Sequence, residues 1–107
     1  MTSGVSVVIV RTGTANLASV EAGLRRAGAD CALADDVAQV VEAERVVLPG
    51  VGTMRAAMSR LAEKGLVKAL ANRVREGRPT LAICLGLQLL FESSEENPGT
   101  AGLSVLP

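Results

Sequence analysis

Thr80-Leu-Ala-Ile-Cys-Leu-Gly-Leu-Gln-Leu-Leu-Phe91 holds a short apolar run ending at Cys84, a glycine two residues later, and a second apolar run of helical character. A strand that turns sharply into a helix reads this way. The residue at the turn is lifted above the strand ends, with its side chain near the positive end of the helix. A thiol placed there favours its thiolate, because unpaired N–H groups and the helix dipole stabilise the charged form. The competing reading is a strand that ends in a packing cysteine, since cysteine is among the most buried residue types. Gly86 favours the turn: lacking a Cβ, it lets the chain reverse tightly and leaves the Leu85 N–H aimed at a developing oxyanion. Gln88, four residues past Cys84, is placed to reach back over the turn toward a polar ligand.

Upstream, strands and amphipathic helices alternate. Val5 to Val10 is β-branched at nearly every position, as in a strand covered on both faces. Leu17, Val20, Leu24 and Ala27 follow at helical spacing, with Asn16 placed to cap and Gly28 to stop that helix. Cys31 to Ala34 reads as a second strand, Asp36 to Ala43 as a short helix capped by its aspartate, and Arg45 to Leu48 as a third strand ending at Pro49. Met54, Ala57, Met58 and Leu61 predict a helix ended by Gly65; Leu66, Leu70 and Val74 predict another ended by Gly77. Pro79 then introduces the strand that leads to Cys84. This alternation predicts an α/β fold: an open, mostly parallel sheet with helices on both faces.

Pro49-Gly-Val-Gly52 follows one strand and precedes a helix, which puts it at the carboxyl edge where open α/β sheets bind ligands. Two glycines around Val51 leave a peptide plane free to turn its N–H toward an oxyanion; a tight turn needing positive φ would use the same residues. Arg11-Thr-Gly-Thr-Ala-Asn16, with Asp35 and Asp36, has one of the three glycines of a dinucleotide fingerprint, and Asn16 as a cap accounts for most of that loop. Glu92, Glu95 and Glu96 form an acidic cluster that reads by default as a solvated face.

Composition excludes several classes. The chain has 107 residues, room for one domain. Its 11 basic and 11 acidic residues are evenly spread, and it has one Phe and no Trp or Tyr, so it lacks both the basic patch and the stacking platform of a nucleic-acid binder. No stretch is apolar for long enough to cross a bilayer, and no signal peptide is legible. Two cysteines without a Cys-x-x-Cys pair point to free thiols in the cytoplasm and to no metal; Cys31 is assigned to packing. There is no histidine, so the usual base for a cysteine nucleophile is missing.

Leu48-Pro-Gly-Val-Gly52, the turn Ile83-Cys-Leu-Gly-Leu-Gln-Leu-Leu-Phe-Glu-Ser-Ser-Glu-Glu96 and Pro98-Gly-Thr-Ala-Gly-Leu103 together resemble the triad-type (class I) glutamine amidotransferases. Within them the likeness is to the glutaminase subunits of imidazole glycerol phosphate synthases, in histidine biosynthesis. The resemblance implies a flavodoxin-like layered fold, of which residues 1–107 would be the N-terminal part of a truncated domain. It implies glutamine as substrate, no cofactor, and a heterodimer with a cyclase subunit built as a (β/α)8 barrel. By position, Cys84 would be the nucleophile, Val51 and Leu85 the backbone oxyanion donors, and Gly50, Gly52, Gln88 and Glu96 the substrate-binding residues. Three departures stand out: the family's downstream His and Glu have no counterpart here, Ala82 replaces the glycine two residues before the cysteine, and the Arg11–Asn16 loop differs. The competing expectations are a non-catalytic flavodoxin-like module that binds a ligand or partner, and an elbow-cysteine thiol sensor.

Overall fold

The computed structural model describes residues 5–12, 17–50, 53–84, 89–90 and 102–103. Four strands form one parallel sheet: β1 (Val5–Val10), β2 (Ala29–Ala34), β3 (Val46–Gly50) and β4 (Thr80–Cys84), in the order β2-β1-β3-β4. The helices are α1 (Leu17–Arg26), α2 (Val37–Glu42), α3 (Met54–Glu63) and α4 (Leu66–Arg75). This is the flavodoxin-like order, whose reversal between β1 and β3 opens a crevice at the carboxyl edge. The expected α/β class, the parallel sheet and helices on both faces are all present.

Alternation along the strands divides the core. Val10, Ala34, Val46 and Leu48 face α2, α3 and α4, and are buried with Val40, Met54, Ala57, Leu61, Leu66 and Leu70. Val7, Ile9 and Val47 face the other way, against half-buried Leu17, Val20 and Leu24 of α1. Leu89 and Leu103 complete the larger cluster, joined by a bond from the Leu103 N–H to the Leu89 carbonyl at 2.7 Å.

Local chemistry fixes the helix ends. The Asp36 carboxylate accepts from the Gln39 N–H at 2.9 Å while the Gln39 side chain accepts from the Asp36 N–H at 3.3 Å, a reciprocal cap that starts α2. Gly28, Gly65 and Gly77, each read as a helix stop, all hold positive φ. Asn16, the expected cap of α1, lies outside the described residues.

Several boundaries differ from the sequence reading. Strand β3 runs through Pro49 to Gly50 instead of ending at Pro49. The Val46 N–H donates to the Pro79 carbonyl, so by alternation the odd-numbered residues of β3 turn their N–H groups toward β1. Pairing with β1 stops at Ile9↔Val47, and the N–H that Pro49 lacks would have had no partner there. Helix α1 stops at Arg26, leaving Ala27 exposed in the turn. On α4 the buried positions are Leu66, Leu70, Ala71 and Arg73, whereas Val74 is only half-buried.

Two helices connect β3 to β4, and they do different jobs. Lys64, just past α3, donates from Nζ to the Arg11 carbonyl and to the Asp35 carboxylate, each at 3.0 Å. Those residues follow β1 and β2, so α3 stays near the carboxyl edge. Helix α4 carries the chain back to the start of β4, where Arg73 reaches Pro79 and Thr80.

Candidate functional site

Gly50 and Cys84 are the last residues of adjacent strands and face each other as register partners. The chain therefore leaves β3 and β4 from neighbouring points at the carboxyl edge of the sheet. Behind them the β3 backbone is fixed in the core, with Val46 to Gly50 all buried. Pro49 pairs with Ile83 and Leu48 with Ala82, so Ala82 sits half-buried beside a fully buried leucine. Of the other residues singled out, Val51, Gly52, Leu85, Gln88 and Glu96 lie outside the described residues. So do residues 13–16 of the first-strand loop.

The acidic residues after β2 have structural roles. Asp36 caps α2, and Asp35 pairs with Arg11 Nε at 3.2 Å and Lys64 Nζ at 3.0 Å. That small network joins the ends of β1 and β2 to the end of α3, and it satisfies the carboxylate that a dinucleotide ribose would otherwise need. Among the described residues no group of three or more His, Cys, Asp and Glu is arranged to hold a metal ion.

Cys31 is remote from this edge. It lies in β2, on the opposite side of the sheet from β4, and pairs with Val7. Its thiol is half-buried against the Val7, Ile9 and Val47 cluster, in keeping with the packing role expected of it. Burial is the main cause that pushes its pKa up; nearby Arg25 opposes the shift, while Glu21 and Asp30 add to it.

A groove of about 390 Å³ opens on the α1 face, lined by Leu24, Val47, Pro79, Thr80 and Leu81 among others. It lies at the starting ends of β3 and β4. Its nearest lining residues on these strands, Val47 and Leu81, lie three positions, about 10 Å, before Gly50 and Cys84. The groove is apolar and lies toward the opposite end of these strands from Gly50 and Cys84, so it is not the pocket for the chemistry expected at Cys84.

Sequence reasoning missed Arg73. Its side chain is 2% exposed, yet it is a cation on the stripe set by Leu66 and Leu70. Five hydrogen bonds use its donors: Nε to Thr80 Oγ1, Nη1 to the Val40 and Ala43 carbonyls, and Nη2 to the Glu44 and Pro79 carbonyls. Burial is the larger cause, and neighbouring Arg78 the smaller, that lowers its pKa from the ordinary arginine value. A charge three positions past Leu70 on an apolar stripe was the available signal.

A family model for the CobB/CobQ-like glutamine amidotransferase domain matches residues 14–107. Imidazole glycerol phosphate synthase subunit HisH of Syntrophotalea carbinolica is 45% identical over 101 residues, 94% of this chain and 49% of that protein. The subunit of the same name from Moorella thermoacetica is 46% identical over 101 residues, 94% and 48% of the two chains. That from Exiguobacterium sibiricum is 44% identical, over 94% and 51%. The chain thus spans about half the length of the curated relatives it matches.

Proposed function

The chain belongs to the CobB/CobQ-like glutamine amidotransferase domain family, and from that membership we propose that residues 1–107 are the nucleophile-bearing part of a glutaminase subunit. The observation that carries the reading is the pairing of Gly50 with Cys84, which starts the oxyanion turn and the nucleophile turn from neighbouring strand ends. The likeness to HisH subunits of imidazole glycerol phosphate synthase supports a narrower reading: glutamine hydrolysis that feeds ammonia to a cyclase subunit, in a cytoplasmic heterodimer.

In this reading the Cys84 thiolate attacks the side-chain carbonyl carbon of glutamine. A C–S bond forms, negative charge moves onto the carbonyl oxygen, and the N–H groups of Val51 and Leu85 receive it. Fixed donors of this kind stabilise the charge without solvent having to reorganise. Gly50 and Gly52 let the oxyanion peptide turn, and Gln88 and Glu96 hold the substrate's polar ends. Collapse breaks the C–N bond as the leaving nitrogen takes up a proton and departs as ammonia; water then cleaves the thioester to glutamate and returns the Cys84 thiol. Moving those protons needs a base. General acid–base assistance is worth about 10²–10⁴-fold, and no histidine of this chain can provide it.

Glutamate release tests the reading. The 107-residue chain alone, or with a cyclase subunit, should release none above background. A chimera in which these residues replace the matching part of the Moorella thermoacetica relative should release glutamate when its cyclase is present, and Cys84→Ser should abolish the release. A folded chimera that stays inactive, or one that works without Cys84, overturns the proposal.

A further inference from the structure

Cys84 can serve a site beside Gly50 only if β4 lies in one register on β3, and the side chains of β4 specify that register weakly. Leu81 is 54% exposed, while Thr80, Ala82 and Ile83 are half-buried. A run of four residues, 80–83, with no fully buried side chain loses little apolar burial when it slips, so pattern alone leaves it prone to alternative pairings. β3 is its sole partner among the described residues.

The entries of the two strands are joined by a different device. The Pro79 carbonyl, just before β4, accepts from the Val46 N–H at 3.2 Å and from Arg73 Nη2 at 2.8 Å. The same Nη2 donates to the Glu44 carbonyl, just before β3, at 2.9 Å. Nη1 holds the Ala43 carbonyl at 2.7 Å, and Nε holds Thr80 Oγ1 at 3.2 Å. One planar guanidinium therefore measures the offset between the two strand starts. A one-residue slip of β4 moves its entry by about 3.3 Å. The bonds to Pro79 and Thr80 would break, leaving donors of a buried cation unpaired, and among the described residues no ion pair compensates that charge.

We propose that Arg73 is the positioning residue of the site: it locks the entries of β3 and β4 in register, so that Gly50 and Cys84 emerge as neighbours at the far edge. The register claim stands on the geometry of the strand entries; its bearing on catalysis rests on the glutaminase reading. The lock acts at the amino ends of the strands, and its effect appears at the carboxyl ends.

The test uses the isotope-labelled 107-residue chain and cross-strand nuclear Overhauser contacts for Leu48 with Ala82 and Gly50 with Cys84. Arg73→Met keeps the bulk and removes every donor. Arg73→Lys keeps the charge but not the fork, and Thr80→Val removes a single acceptor. Leu70→Ala, on the same helix, is the control for simple loss of stability. The expected result is that Arg73→Met loses or shifts the Gly50–Cys84 contacts and changes the alkylation rate of Cys84 relative to Cys31, whereas Leu70→Ala changes neither. If Arg73→Met does not fold, Arg73→Lys and Thr80→Val should show faster amide exchange in β4 than in β1. In the chimera, Arg73→Met should lower kcat about 10²-fold, the scale of a misplacement of about 1 Å, with KM for glutamine held. Unchanged contacts and an unchanged Cys84 rate in the variants, or equal effects from Leu70→Ala, overturn the proposal. A shifted register combined with an unmodified chimera that releases no glutamate leaves the lock standing and removes the glutaminase reading.

Discussion

Cys31 lies in β2 and Cys84 closes β4. Cys31 is packed on β2 with its pKa raised, chiefly by burial, so its thiolate fraction at neutral pH is below that of a free cysteine. Competitive alkylation near neutral pH should label Cys84 first, because the raised pKa of Cys31 leaves it less thiolate than an unburied cysteine has. Peptide mapping reads the ratio, and equal or faster labelling of Cys31 counts against a nucleophile turn at Cys84. The raised pKa also sets a sign for stability: the contribution of Cys31 is complete below the unfolded thiol's pKa and is lost as pH rises through the folded value. Cys31→Ala should accordingly flatten the alkaline limb of a stability-against-pH curve and leave the acid limb unchanged. Cys31 could be assigned to packing from sequence because no glycine follows it as Gly86 follows Cys84. Arg73 was not legible because helical spacing offered Val74 as an apolar alternative, and only packing reveals which of the two adjacent positions turns inward.

The elements were more readable than their register. Asp36 and Gln39 at cap spacing, and glycines after three helices, are local signals that depend on one turn of chain and nothing distant. They should also be separable by mutation. Asp36→Ala removes the reciprocal cap of a six-residue helix and should cost about 0.5–2 kcal/mol in urea unfolding. Gly77→Ala should cost about 1–2 kcal/mol from the left-handed backbone alone, because nothing lies within 4 Å of the added methyl. A neutral Gly77→Ala would mean that the turn relaxes to another conformation. The extension of β3 through Pro49 was not legible, since it depends on how far β1 reaches beside it. The division of labour between α3 and α4 likewise depends on Lys64 meeting Arg11 and Asp35, residues distant in sequence.

Across the whole molecule the two faces of the sheet are unequal. The face under α2, α3 and α4 holds most of the fully buried side chains, whereas α1 buries none of its own completely. Leu70→Ala should therefore cost about 2–5 kcal/mol, and Leu24→Ala, from a half-buried position, distinctly less; denaturant midpoints of the two variants give the comparison. Similar losses would show that the α1 face contributes as much as the larger core. The layered architecture could be read from the alternation of periods, and so could the placement of Cys84 at the end of its strand, whereas Gly50 was expected in a turn and instead closes β3. The order of the strands could not, because every connection is long enough to reach more than one neighbour. That length matters before the fold exists as well as after. Val5 pairs with Ala29, Val8 with Val46 and Val46 with Thr80, so the sheet contains no hairpin and each ladder must close a long loop before its first bond forms. Folding should be slower than in a helical bundle of this size, with β4 among the late arrivals and its edge open to other chains until it docks.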